Sequence, residues 1–422
     1  HPSVAPDLAV RIGNAPHKLR PKTRNWLPFP NWRCLLSAGA PRSMPADAPP
    51  LFVDTKEAFL ELIARFRTEP VIGIDTEAAS FHRYRDRVYL LQLSGAEETA
   101  VVDPIAVGGL EPMGDWLADP ATEFVFHDAD YDLRLLHREF GFRVARLFDT
   151  RVSAQFLGLE SIGLAAILEQ RFGVMTNKKW QRADWSARPL SPDMITYAAT
   201  DTRFLPALRE MFRSELAALA RLSWVEEECR LSRMVEWAPA EAADTAFLRV
   251  KGARDLDRRG LAILRELFQW REAVGERLDR ALFRVMASET LLLLSTERPT
   301  TLEALAKLRG VGNETVSRRG EEVLAAIERG LAVADEDLPG FERRPRTRPD
   351  PALEARLDRL KLWRNGLANQ IGLPPGVLAP NGTLEAIARM VPENAEALAG
   401  VAGVRQWQVA EFGSELLAVL GT

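Results

Sequence analysis

The sequence predicts an α/β protein in which a mixed-sheet domain is followed by an all-α half built from one small helical unit used twice. Three observations lead there. Between residues 71 and 149, short apolar runs rich in β-branched residues give way to alternating strand-like and helical patterns, as in a layered sheet-and-helix domain. Beyond about residue 256 no strand-like run of any length remains. Within that second half, residues 93 positions apart match without a gap.

Residues 1–48 carry seven Lys/Arg against two Asp, and 10 of the 27 prolines fall in the first 50 residues. That composition reads as a basic extension without fixed structure. It holds no continuous apolar run, so it is not a convincing signal peptide. The earliest methionine is Met44, which makes residues 1–43 an expected upstream or added extension, with a nucleic-acid-binding arm as the other reading. Order is expected from about Leu51. Asp54-Thr55-Lys56-Glu57 resembles a capped helix start and leads into Phe59, Leu60, Ile63 and Phe66 at helical spacing. Strands are expected over 71–75, 88–94 and 100–103, close enough for an antiparallel meander. Further strands are expected over 124–127 and 147–149. A helix through Leu133, Leu136 and Phe140 separates them, and helical patterns continue to about Met234.

In the second half, the constant offset pairs Trp270 with Trp363, Arg271 with Arg364, Thr290 with Thr383, Gly310 with Gly403 and Gly320 with Gly413. A period this long exceeds that of solenoid repeats and implies two copies of a small helical domain. The expected layout is a sheet-containing domain over 49–235, helical copies over 255–334 and 352–422, and a linker over 335–351. That linker contains four prolines together with Arg343, Arg344, Arg346 and Arg348. A copy with its own core, entered through such a linker, is expected to be separable.

Composition narrows the function classes. Hydrophobic residues are 46% and charged residues 27%, which excludes wholesale disorder and fibres. No apolar run approaches the roughly 18 residues that span a bilayer. Cys34 and Cys229 are the only cysteines, too few for a disulfide framework or a four-thiolate zinc site, which points to a reducing compartment. With a net charge of −4, any affinity for nucleic acid must come from a local basic face.

Carboxylates carry the strongest chemical signal. Asp75 and Glu77 flank Thr76 at the end of Val71-Ile72-Gly73-Ile74. Strand alternation turns both to one face, where two acids repel unless a cation sits between them; a solvated strand end is the plain alternative. Asp132 follows a strand at a helix start, where Asp is also favoured for capping and dipole reasons; Asp128 and Asp130 are expected to do that or simply to face water. Tyr197 and Asp201 are i and i+4 on a helix and share a face; a buried tyrosine with an exposed aspartate would look the same.

Taken as an ordered set, these residues resemble the DEDDy 3′→5′ exonucleases. The flanks Ile72-Gly73-Ile74-Asp75-Thr76-Glu77, His127-Asp128-Ala129-Asp130-Tyr131-Asp132-Leu133, Gln181-Arg182-Ala183-Asp184-Trp185 and Tyr197-Ala198-Ala199-Thr200-Asp201 are similar to the ribonuclease D family. The duplicated unit resembles the HRDC domain. The resemblance implies a ribonuclease H-like exonuclease domain followed by two all-α HRDC-type domains. It further implies that Asp75, Glu77, Asp132 and Asp201 hold two divalent ions, Mg²⁺ or Mn²⁺. Tyr197 would take the position of histidine in the sister class and, with an ordinary phenol pKa of about 10, orient the attacking water. The implied substrate is RNA with an accessible 3′ end, tRNA precursors in particular, cleaved to nucleoside 5′-monophosphates by a cytoplasmic monomer with no membrane or obligatory protein partner. A DNA 3′→5′ exonuclease and a catalytically dead nucleic-acid-binding module are the alternatives.

Candidate RNA contacts are more open. Arg277, Arg280 and Arg284 are expected on one helix face, with Glu276 placed to pair with Arg280. Leu308-Arg309-Gly310-Val311-Gly312 resembles a phosphate-cradling turn before a helix, or serves close packing. Trp270 and Trp363 are expected in the core. Lys178, Lys179, Trp180 and Trp185 could meet an unpaired 3′ end, with a buried Trp185 an equal expectation. His82, Arg83, Tyr84 and Arg85 could touch substrate phosphate.

Overall fold

The computed structural model describes residues 48–176, 178–238, 243–341 and 350–421. The N-terminal extension through residue 47 with Cys34, the Lys178 side chain, and the linker arginines Arg343, Arg344, Arg346 and Arg348 lie outside the described residues.

Six strands form one mixed sheet in the order β1-β4-β3-β2-β5-β6. They are β1 (Leu51–Val53), β2 (Val71–Glu77), β3 (Leu90–Ser94), β4 (Thr99–Val102), β5 (Glu123–Phe126) and β6 (Leu147–Asp149). β2, β3 and β4 make the expected antiparallel meander, while β5 pairs parallel to β2 and β6 parallel to β5. Two details differ from the sequence expectation. β2 runs on through Glu77, because its last residues still find partners in Leu90 and Leu91 of β3. β1, a three-residue strand parallel to β4, is too short to show any periodicity.

Helices of eight or more residues are numbered here. In the sheet domain they are α1 (Lys56–Phe66), α2 (Asp130–Phe140), α3 (Thr150–Leu157), α4 (Leu164–Phe172), α5 (Pro192–Arg203), α6 (Leu205–Ala218) and α7 (Leu222–Ser232). α1 starts as expected, with the Thr55 hydroxyl accepting from the Ala58 amide, and buries Phe59, Leu62, Ile63 and Phe66.

The repeat folds twice in the same way. α8 (Arg258–Leu278), α9 (Ser288–Glu297) and α10 (Asn313–Ala332) build the first copy; α11 (Pro351–Ile371), α12 (Asn381–Met390) and α13 (Gln406–Gly421) build the second. Each has its own apolar cluster. The matching residues do matching work. Arg271 is buried and donates to the Met286 carbonyl (3.3 Å) and Ser288 Oγ (3.1 Å). Arg364 donates at the equivalent places, to the Ala379 carbonyl (3.0 Å) and Asn381 Oδ1 (2.8 Å). Trp270 is buried, and the Trp270 and Trp363 indoles donate to Glu322 and Glu415. Gly310 has φ +86°, and a Cβ there would sit 2.3 Å from Thr290 Oγ1; Gly403 repeats this against Thr383 at 2.8 Å. Both glycines are thus required by packing within the turn.

Contrary to the expectation from the linker, the second copy is not free-standing. Trp407 of α13 stacks on Trp224 of α7, with centroids 4.6 Å apart and planes at 16°, and Phe156 and Phe412 pack edge-on around the pair. Glu227 of α7 accepts from the Gln406 and Trp407 amides (2.7 and 2.9 Å), so it satisfies donors at the start of α13. Glu228 pairs with Arg405 at 2.9 Å. On the other side, Asp335 pairs with Arg259, the Leu338 carbonyl accepts from Arg258, and Arg254 lies over Phe341. The first residues of the expected linker therefore lie against the start of α8. Among the described residues, no helix is long and apolar enough to cross a membrane.

Candidate active site

Pleating turns Asp75 and Glu77 of β2 to one face of the sheet, opposite Gln92 and Leu90 of β3. The third acid arrives from α5. Its approach depends on Gly73, two residues before Asp75. A Cβ on Gly73 would stand 2.8 Å from the Thr202 carbonyl oxygen and 3.0 Å from Leu205 Cβ. The bare strand lets the α5–α6 junction rest on it, and Ser94 of β3 bonds Thr202 Oγ1 at 2.8 Å to fix the seat. Asp201 is thereby delivered to β2. Asp75, Glu77 and Asp201, all half-buried, each offer a carboxylate oxygen, and these atoms lie within 4.8 Å of one another.

The electrostatics of this group are unfavourable by themselves. Burial pushes the Asp75 carboxyl well above its ordinary range, and the charges of Asp132, Asp201 and Glu77 push it further. Glu77 is raised by burial and then by Asp201 and Asp132. Burial raises Asp201 to about 7. Three carboxylates whose oxygens lie this close, with like charges crowding them, could hold a metal ion. The residues fit such an ion.

Asp132 occupies the first turn of α2 but stands outside the group of three. It is buried and accepts a hydrogen bond from the Thr76 hydroxyl. Burial raises it to about 7, partly opposed by that bond. Of the four acids that the family resemblance groups, the structure brings three together and gives the fourth a neutral partner.

At the start of α2 the second of the two expectations holds, since Asp128 and Asp130 are both exposed. Asp128 pairs with Arg151 and Asp130 with Arg134, and neither caps the helix. Asp149, at the end of β6, does so from outside: its carboxylate accepts from the Asp128 and Ala129 amides (3.1 and 2.9 Å) while also capping α3 through Arg151 and Val152. Asp149 escaped the sequence reading. An Asp between an apolar run and a helix signals one cap, but the second, to α2, is a tertiary contact.

Tyr197 lies one turn before Asp201. Its ring stacks on Trp185, which is 1% exposed, at 6.2 Å and 24°. Burial first, then Asp201, Glu77 and Asp75, carry its phenol far above the usual range. It stays protonated, so its hydroxyl can donate toward the acids or a water among them. Arg188 holds the Trp185 segment by bonds to Asp103 (2.6 Å) and to the Trp185 and Tyr89 carbonyls (2.7 and 2.8 Å).

The basic loop after β2 faces the first helical copy. Arg83 pairs with Asp279 and Arg85 with Glu276, while Tyr84 Oη donates to Glu272 at 2.9 Å. The expected arginine face is also broken: α8 ends at Leu278, Asp279 turns left-handed (φ 43°), and Arg280 and Arg284 lie beyond it. Arg277 instead pairs with Glu322. Glu276, taken up by Arg85, makes no pair with Arg280.

Carboxyls raised in the folded state bind protons that the unfolded chain, titrating near 4, has already released, so metal-free stability falls as pH rises from about 4 to 7. A bound cation reverses this by favouring the ionised acids. Melting in EDTA should show a lower Tm at pH 8 than at pH 5. Mn²⁺ should raise Tm strongly at pH 8 and little at pH 5; equal shifts at both would detach the acids from metal binding.

The chain matches the 3′–5′ exonuclease family over residues 50–217 and the HRDC domain over 260–327 and 354–420. It is 32% identical over 375 residues to ribonuclease D of Granulibacter bethesdensis, covering 88% of this chain and 92% of that protein. In fold it resembles Escherichia coli RNase D, an exoribonuclease involved in structured RNA processing (TM-score 0.65, 24% identity, 89% of this chain and 99% of that one). It also resembles the catalytic core of RRP6 from Trypanosoma brucei (TM-score 0.63, 27% identity, 71% of this chain and 85% of that one).

Proposed function

The chain belongs to the ribonuclease D family, and we propose that it trims the 3′ ends of structured RNAs, tRNA precursors among them, releasing nucleoside 5′-monophosphates. It is a 3′→5′ exoribonuclease. The observation that carries the finer reading is the convergence of Asp75, Glu77 and Asp201 oxygens within 4.8 Å. With Asp132 they would hold two divalent ions, Mg²⁺ or Mn²⁺, since all four offer oxygen and none offers the sulfur or imidazole that zinc prefers. Such ions supply a more acidic attacking water and offset charge on the departing 3′ oxygen. The chain's own part is placement. The Gly73 contact sets Asp201 against Asp75, and Tyr197, protonated and braced by Trp185, donates to the incoming water and aligns its lone pair. The reading assigns catalysis to residues 49–235 and RNA engagement to the two helical copies, in a monomeric cytoplasmic enzyme.

Hydrolysis of a 3′-tailed RNA and its DNA counterpart, each with and without Mg²⁺, tests the reading. RNA should shorten from its 3′ end only with the metal. Preferred hydrolysis of the DNA would favour a DNA exonuclease, and none on either strand a binding module. Within the site, Tyr197→Phe should slow single-turnover cleavage by roughly 10²-fold with calorimetric Mn²⁺ affinity unchanged. Normal cleavage would leave Tyr197 a packing residue only.

A further inference from the structure

Four residues beyond Glu77, the chain exposes an aromatic ring. Phe81 is 41% exposed, and across from it Phe283, presented by the first helical copy, is 54% exposed. Their centroids are 6.3 Å apart with planes at 74°. The Arg182 guanidinium lies 5.3 Å from the Phe81 ring centre and that of Arg284 5.9 Å from the Phe283 ring centre. The arrangement is held from both sides. Arg284 Nε donates to the Phe81 carbonyl at 2.6 Å, and the Ala281 amide to the His82 carbonyl at 3.2 Å. The neighbouring acids already face cations or donors: Asp279 faces Arg83, Glu276 faces Arg85, and Asp184 faces His82. Two large apolar rings left in water beside two guanidinium groups are unusual for a surface that serves packing alone. They suit a flat π-face that carries a phosphate.

We propose that Phe81 and Phe283 form a stacking platform for an unpaired RNA base upstream of the 3′ terminus, with Arg182 and Arg284 drawing its phosphate. The inference rests on the exoribonuclease reading for the identity of the strand. It gives the first helical copy a direct share in substrate contact. One ring comes from the loop that follows the carboxylates, so the base held there lies on the same strand end that is being cut. Recognition is of the π-face and therefore tolerant of sequence.

Binding of a short single-stranded RNA to the full chain is measured in an Asp75→Asn background, which prevents turnover. Phe283→Ala should weaken it about tenfold. Phe283→Trp should restore it. Phe283→Leu keeps an apolar contact to Phe81 and so the loop seat, but it should bind like the alanine variant. Abasic nucleotides placed in turn along the RNA should reveal one position where the Asp75→Asn protein loses a similar factor and the Phe283→Ala protein loses nothing more. Unchanged binding by Phe283→Ala, wild-type-like binding by Phe283→Leu, an undiminished abasic penalty in the alanine variant, or no measurable RNA binding at all would each overturn the platform. If the unsubstituted chain binds RNA but never shortens it, the nuclease reading fails while the platform is still judged on the binding data.

Discussion

Asp75→Asn should abolish RNA shortening, with a rate loss on the order of 10³-fold or more, equivalent to about 4 kcal/mol of barrier. Asp75 lies within reach of the charges of Asp132, Asp201 and Glu77, so a cation bound among them depends on its charge. The fold should not suffer. Asp75 is half-buried, pairs through its backbone with Gln92, and in the metal-free protein is repelled by its neighbours; the amide removes that repulsion. Single-turnover cleavage of a 3′-tailed RNA, calorimetric Mn²⁺ titration and RNA binding separate the effects. Lost cleavage, weakened Mn²⁺ binding and retained RNA affinity are expected. A variant that cleaves at near wild-type rate in Mg²⁺ would remove Asp75 from the metal site.

Deleting residues 342–422 should produce an aggregating protein, although the repeat suggested a clean cut. Trp224 is 1% exposed because Trp407 covers it, and the deletion returns its ring to water together with part of Phe156. Arg221 loses the Ile371 carbonyl, one of its two buried acceptors. Trp407→Ala in the full chain removes that side chain's packing together with its hydrogen bond to Glu228, a loss that should be about 3–5 kcal/mol. Urea denaturation of that variant and size-exclusion chromatography of the truncated chain check both statements. A truncated chain that stays monomeric and melts like the full protein would show the second copy to be merely appended.

What the sequence made legible follows from period and spacing. Asp75 and Glu77 lie two apart on a strand and Tyr197 and Asp201 four apart on a helix, so their faces were readable before any tertiary contact was known. The buried arginines 271 and 364 emerged as a matched pair because both copies solve the same packing problem. Contacts between distant segments were not readable. The Thr76–Asp132 bond, the Asp149 cap on α2 and the Trp224–Trp407 stack each join residues that no local pattern connects. The arginine face failed for a local reason: Asp279 leaves the helix in a left-handed turn, a conformation that Asp tolerates better than most residues and that periodicity does not reveal.

The strand–helix contact at Gly73 changes how variation in this chain should be weighed. A methyl group there meets a main-chain oxygen at 2.8 Å, and that atom cannot swing aside as a flexible side chain can. Gly-to-Ala scores as a mild exchange on most substitution scales. Here it would drive a wedge between the segments that carry Asp75 and Asp201. A genetic screen for loss of function should therefore return Gly73 beside the acidic residues, although glycine contributes no reactive group.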